Sequence, residues 1–293
     1  MPQVLDSPCL SLCALWAVLL AALSVYAFVI EPGRIVVRQV EAPISGLPPA
    51  LDGLRIGQIS DLHRGPLMPR SRVDRAIARM AAQAPDLIAL TGDFVSGDPG
   101  PAAEYRDILS PLRPRLGLFA CLGNNDHWAG AGAVAAALEN AGVTVLRNQH
   151  HLLTVGDARL CVVGIDDMGS AGLSAHHAAP HDDLPAALVG SPLSGPVRVL
   201  LAHNPDFAMG PVFARETARR PIHLVLSGHT HGGQVRLPLV GAPRLPSRYR
   251  LLFGGGLVRV AGTWVHVSRG AGTAWSVRFN CPPEVNVITL RAG

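Results

Sequence analysis

Lysine is absent from this sequence: all 25 basic side chains are arginine. The bias reflects composition more than function, and how the arginines are arranged says more. They are scattered rather than gathered into a stripe, and the formal net charge is only +4, so the footprint of a nucleic-acid-binding protein is missing. A C-x-x-C pair is absent too, because the five cysteines fall at irregular spacing. Cys9 and Cys13 precede or begin an apolar run, the wrong place for a lipoprotein cysteine. Cys121, Cys161 and Cys281 lie in or beside apolar stretches and read as buried free thiols. No internal repeat and no low-complexity tract beyond ordinary Gly/Pro loops is present, which leaves 293 residues for one large domain or two small ones.

Charge of either sign is absent from residues 10–30. These 21 residues match the roughly 20 needed to cross about 30 Å of hydrocarbon as a helix. They exceed the 7–15 apolar residues of a typical signal-peptide core, and no small-x-small cleavage site stands out after Ile30. The segment is therefore expected to be an uncleaved single-pass anchor in the cell membrane, preceded by a tail, 1–9. Met1 to Pro8 contains no Lys or Arg, whereas Arg34 and Arg38 follow the span, a bias that by the positive-inside rule favours a cytoplasmic catalytic part.

After the anchor, residues 31–53 read as a linker, with the Pro- and Gly-rich stretch 41–53 a linker or edge segment, and 54–293 as the globular domain. Apolar runs at 54–59, 86–90, 116–122, 143–146, 160–165, 197–201 and 222–226 predict strands, and periodicity predicts helices over 72–84 and 131–141. Strands alternating with helices imply an α/β architecture.

Five of these strands end in residues of metal-ligand type. Asp61-Leu62-His63 follows the first, Gly92-Asp93 the second, Gly123-Asn124-Asn125-Asp126-His127 the third, Ala202-His203 the fourth, and Gly228-His229-Thr230-His231 the last. Any one of them is usually a cap or a turn former; five strand ends of the same character are hard to explain that way. In open α/β sheets the strand C-termini form the ligand crevice, where residues remote in sequence converge. Two histidines at i and i+2 between glycines can bring both rings to one small object. Carboxylates with imidazoles suit divalent Mn, Fe or Zn.

The ordered set Asp61-x-His63, Gly92-Asp93, Gly123-Asn124-x-Asp126, His203 and Gly228-His229-x-His231 resembles the calcineurin-like metallophosphoesterase superfamily. The extension Gly232-Gly233-Gln234, the N-terminal membrane segment, and the tail Ser268-Arg269-Gly270 with Cys281-Pro282-Pro283-Glu284 resemble its membrane-associated bacterial phosphodiesterase branch. The resemblance implies a four-layer sandwich, two mixed β-sheets flanked by helices, with two divalent metal ions at one edge. It implies that Asp61, His63, Asp93 and His231 hold one ion and Asp93, Asn124, His203 and His229 the other, with a metal-activated hydroxide as nucleophile. The implied activity is phosphodiester hydrolysis at the membrane, on a broad or lipid-linked phosphoester. Two alternatives stay open: a pyrophosphohydrolase acting on UDP-diacylglucosamine in lipid A synthesis, and a metal-binding scaffold without turnover. Retention of all seven ligands favours an enzyme.

One position departs from the family pattern. Many members carry a histidine between Asn124 and Asp126, implied to protonate the leaving group or stabilise phosphoryl charge, and this chain has Asn125. A carboxamide donates a hydrogen bond but cannot act as a general acid, so His127, two residues on, is the other candidate catalytic residue, or else an ordinary loop histidine. Asp166 and Asp167 could line the crevice or form an Asx-type turn. The histidines at 150, 151, 176, 177 and 181 are placed in loops with no assigned chemistry. The stretch 237–256, with Arg244, Arg248 and Arg250, reads as a mobile loop whose arginines either bind a phosphate or anionic head group or form a solvated face.

Overall fold

A computed structural model of the chain describes residues 8–167 and 182–293; His176, His177 and His181 lie outside the described residues. Two six-stranded mixed sheets carry the fold. The first has strand order β1-β12-β2-β3-β4-β5, made of β1 (Val36–Ile44), β2 (Arg55–Ile59), β3 (Leu87–Thr91), β4 (Leu118–Cys121), β5 (Val143–Val145) and β12 (Glu284–Ala292). The second has order β10-β11-β9-β8-β7-β6, made of β6 (Gln149–Val155), β7 (Ala158–Gly164), β8 (Val197–Leu201), β9 (Leu224–Ser227), β10 (Gly256–Val260) and β11 (Thr263–Val267). In the first sheet β2, β3, β4 and β5 run parallel and β12 is antiparallel to β2. In the second, β7, β8, β9 and β11 run parallel, with β6 and β10 antiparallel at the edges.

Three separate apolar clusters show how the layers stack. The middle one takes Ile56, Ala89 and Phe119 from the first sheet and Leu160, Val199 and Leu224 from the second, so it is the seam between the sheets. Another lies under α2 (Arg70–Ala81) and α3 (Asn124–Asn140) on the outer face of the first sheet, and the third under α4 (Pro211–Arg219) on the outer face of the second. Two sheets with helices outside both make the four layers expected. Central strands buried on both faces explain the continuous apolar runs: every residue of β3 and of β8 is buried. On α2 the buried residues Val73, Ala76, Ile77 and Met80 follow the i, i+3, i+4, i+7 spacing of a one-sided helix.

The structure departs from the sequence reading in three places. Residues 31–53, expected to form a linker, contain β1, which pairs along its full length with β12; Pro43 is tolerated because β1 is an edge strand. His150 and His151, expected in a loop, lie in the edge strand β6, where half-exposed alternation leaves no apolar run. The helix expected over 131–141 starts at Asn124 and bends at Gly130, whose φ of 122° is open to glycine.

The N-terminal helix α1 (Pro8–Val25; the helices α2–α4 above follow it in the chain) continues through a π-turn, Tyr26–Ile30. Among the described residues one stretch, Ser11–Gly33, is long and apolar enough to cross a membrane. Its end is fastened to the tail. The Tyr26 ring meets Phe279 edge-on at 5.8 Å, the Arg278 N–H donates to the Ala27 carbonyl at 3.0 Å, and the Cys281 N–H donates to Glu31 Oε1 at 2.9 Å.

Candidate metal centre

The parallel strands of both sheets end at the same edge, and there the five motif blocks meet. Asp61 and His63 follow β2, Asp93 follows β3, Asn124 opens α3 after β4, His203 follows β8, and His229 and His231 follow β9. A polar ladder between the sheets sets this edge: Gln58 Nε2 donates to Thr91 Oγ1 at 3.1 Å and to the Ser227 carbonyl at 2.9 Å, tying the end of β3 to the end of β9.

Five of the seven candidate ligands hold positive φ: Asp61 54°, His63 48°, Asp93 57°, His229 68° and His231 50°. Left-handed backbone at a non-glycine residue is uncommon and costs about 1–3 kcal/mol each. Five together mean that the surrounding fold holds strain to aim these side chains inward. Glycine makes the approach possible at two points. A Cβ at Gly123 would overlap Asp93 Oδ1, and one at Gly228 would overlap Ser60 Oγ and Asp61 Oδ2.

The side chains form two overlapping groups. Asp61, His63 and His231 can each offer a ligand atom within 4.8 Å of the others, as can Asp61, Asp93 and His203. His63 Nε2 lies 3.0 Å from His231 Nε2, and His231 Nε2 lies 3.3 Å from Asp61 Oδ1. Asp93 Oδ2 stands between the groups, 3.5 Å from His63 Nε2 and 3.3 Å from His203 Nε2. On the far side His229 Nδ1 lies 2.9 Å from Asn124 Oδ1.

The donor chemistry demands cations. His203 Nδ1 donates to the Thr91 carbonyl at 2.7 Å, so in the neutral ring the buried Nε2 turns a lone pair on a carboxylate. Only a cation between them, a proton or a metal, makes that arrangement favourable. Burial disfavours a charged His203, but Asp93 overrides it and raises the pKa well above the ordinary value. Burial and neighbouring His203 press His229 down to about 3, and burial, His63 and Arg278 hold His231 well below the usual range. Both rings are therefore neutral and able to act as ligands.

Several residues outside the seven shape the centre. Asp126 was visible as part of the third motif, but its task was not: its carboxylate accepts from the N–H groups of Asp93 at 2.9 Å, Phe94 at 2.8 Å, Val95 at 3.2 Å and Gly123 at 2.9 Å. It thereby clamps the turn bearing Asp93 to the start of α3. Burial and the Asp93 charge raise its pKa to about 7. Arg278, fully buried behind His231, donates to the carbonyls of Gly272 at 2.6 Å, Arg269 at 2.9 Å and Cys281 at 2.9 Å. No motif marked it in the sequence, where it stands three residues before Cys281.

Asn125 points to Asp93. Its backbone N–H donates to Oδ1 at 2.9 Å and its Nδ2 to Oδ2 at 2.8 Å. His127 shares a face of α3 with Asn124, at i and i+3, and its Nε2 lies 3.5 Å from Asp166 Oδ1. Asp166 also takes Arg147 Nη2 at 2.9 Å, and with Asp167 borders a hollow beside His203 and Asn204. Although burial opposes it, His127 and Arg147 hold the Asp166 carboxyl below its ordinary range.

Comparison with known proteins agrees with this geometry. Residues 54–233 match the calcineurin-like phosphoesterase family model. The phosphodiesterase YaeI of Escherichia coli is 35% identical over 237 residues, covering 79% of this chain and 80% of that protein. The metallophosphoesterase YkuE of Bacillus subtilis is 31% identical over 276 residues, covering 91% and 89%. A transmembrane protein with a metallophosphoesterase domain from Danio rerio is 33% identical over 283 residues, covering 94% of this chain and 61% of its own. With acidic and imidazole groups converging at one sheet edge and the family model matched across them, the chain belongs to the calcineurin-like phosphoesterases and is a metal-dependent phosphoester hydrolase.

Proposed function

We propose that this chain is a membrane-anchored phosphodiesterase in which Asp61, His63, Asp93 and His231 hold one divalent ion and Asp93, Asn124, His203 and His229 a second, the ions being Mn, Fe or Zn. The observation that carries the assignment is Asp93 Oδ2, which stands within 3.5 Å of an imidazole from each half of the centre. When bound, the ions would supply Lewis acidity toward phosphoryl oxygens and lower the pKa of a water.

The protein's own groups divide the remaining work. Asn125 directs both donors onto Asp93, which fixes the carboxylate and keeps the amide from the leaving group. His127, oriented by Asp166, is the proton donor to the leaving oxygen. The strained turns at Asp61, His63, Asp93, His229 and His231 orient the ligands before substrate arrives. The apolar span Ser11–Gly33 and the relative named a transmembrane protein support the anchor; the relative named a phosphodiesterase supports the reaction class, with a phosphoester carried by a lipid as the substrate in view.

Replacement Asp93→Ala tests the bridge, since both ions lose a ligand. Turnover of bis(p-nitrophenyl) phosphate with added Mn²⁺ should fall to background and the metal content should drop with it. Full activity with unchanged metal content would overturn the assignment.

A further inference from the structure

The turn that follows the metal motif carries apolar side chains that no described residue covers. Leu237 and Gly241 exchange backbone hydrogen bonds at 2.8 and 2.9 Å, and the tip between them holds Leu239, fully exposed at φ 65°, and Val240, 65% exposed. Leu251, 58% exposed, stands behind Gly241, and Trp275, 50% exposed, lies on the neighbouring segment. In water a fully exposed leucine in left-handed backbone gains nothing from burial and bears the strain of its conformation.

The segment leading into this tip is joined through Phe279 and Arg278 to the end of the apolar helix. Arg236 N–H donates to the Phe279 carbonyl at 2.8 Å and Phe279 N–H to the Gln234 carbonyl at 2.9 Å, while the Phe279 ring rests on Tyr26 and Arg278 N–H bonds Ala27. The charge of this stretch of sequence is one-sided, with Asp206 of a neighbouring segment meeting it by accepting from Ser247 Oγ and from the Arg248 N–H at 2.8 Å. From Gly232 to Pro283 the chain has seven arginines and no aspartate or glutamate. Arg244, Arg248 and Arg250 are exposed, and the Arg244 guanidinium stacks on Trp275 at 4.9 Å. Those two residues wall a cavity of about 100 Å³ with His231 and Gln234, so this surface borders the metal centre.

An apolar tip, a half-exposed tryptophan and the exposed Arg244 and Arg250 form the chemistry of a bilayer interface, where apolar groups enter the acyl boundary and arginines meet anionic head groups. We propose that the segment 237–252 with Trp275 is a second membrane contact: Leu239 and Val240 insert into the anionic bilayer crossed by the helix, and the cavity beside His231 opens at head-group depth. The inference rests on the reading of 10–30 as a membrane anchor and adds that the centre faces the lipid surface instead of standing clear of it.

The full chain tests it, carrying Leu239→Cys labelled with an environment-sensitive fluorophore, in vesicles of phosphatidylcholine with phosphatidylglycerol. Val189→Cys, at an exposed position on the helical side of the second sheet, is the reference, and the signal of the identically treated parent is subtracted. The label at 239 should be quenched by doxyl-labelled lipid and shielded severalfold from iodide relative to the label at 189. Equal access of iodide to both labels in a chain that floats with the vesicles would overturn this contact and leave the anchor standing. A chain that does not float with the vesicles would overturn the anchor and this contact with it. Because the tip could be sheltered by protein alone, the double variant Leu239→Glu, Val240→Glu gives a second reading. It should cut hydrolysis of a vesicle-borne phosphodiester severalfold and leave bis(p-nitrophenyl) phosphate turnover unchanged; equal effects on both substrates would overturn the proposal.

Discussion

Asn125 shows how one side chain alters the chemistry around it. Both of its donors reach Asp93, so the proposed proton donor is His127, facing Asp166. A p-nitrophenolate leaves readily without a proton, whereas an alkoxide needs one. His127→Ala should therefore slow alkyl phosphodiesters by about 10²–10⁴-fold and aryl diesters far less; equal losses on both, or no loss on either, would remove His127 from leaving-group protonation. His266, buried in β11 and hydrogen-bonded to Gln58 Oε1 at 2.7 Å, is a separate case at this scale. Burial holds its pKa down to about 4 from 6.5. The unfolded chain takes up the proton first as pH falls, so the stability due to this group is complete above pH 6.5 and is lost as pH drops through about 4, up to roughly 3 kcal/mol. Melting temperatures of the wild type and His266→Gln between pH 7 and 4 should diverge in slope, the wild type falling faster; parallel curves would contradict the assignment.

At the scale of elements, the decisive features are the turns at the strand ends. Gly228→Ala would drive a methyl into Ser60 and Asp61, so the β9 turn must shift away from β2 and carry His229 and His231 with it. Turnover should fall by up to about a hundredfold, the scale of a displacement near 1 Å at a reacting centre, while far-ultraviolet circular dichroism stays unchanged; wild-type activity would show that this contact is not needed. The same turns explain what could be read from the sequence. All seven candidate ligands were legible because each follows an apolar run, and runs buried on both faces, such as Leu87–Thr91, announce themselves. The strands β1, β6, β10, β11 and β12 were not legible. β1, β6 and β10 are edge strands with mixed patterns, β11 lies inside its sheet but buries the polar Thr263 and His266, and β12 buries Glu284 and Asn286, whose polarity hides a strand. Nor could sequence reveal that Asn125 turns onto Asp93, since that depends on the positive φ of Asp93 and the clamp made by Asp126.

For the whole molecule, the N-terminal apolar helix and the domain are one mechanical unit. Residues 36–44 belong to the first sheet, so truncation tolerance depends on where the chain is cut. A chain starting at residue 34 should remain folded and soluble after the apolar span is removed. One starting at residue 45 exposes the edge of β12 and should aggregate. The full chain should resist extraction from membranes by high salt. Recovery of the full chain in the soluble fraction, or a folded monomer from the start at 45, would contradict this arrangement.

The account turns on Asp93 serving both halves of the centre, and electron paramagnetic resonance of the Mn²⁺-loaded full chain tests that most directly. Two ions about 3.5–4 Å apart under a shared carboxylate should be exchange-coupled, with two manganese per chain and a broadened coupled spectrum that reverts to an isolated-ion signal in Asp93→Ala. A wild-type protein that binds one manganese per chain and gives only the six-line signal of an isolated ion would contradict it.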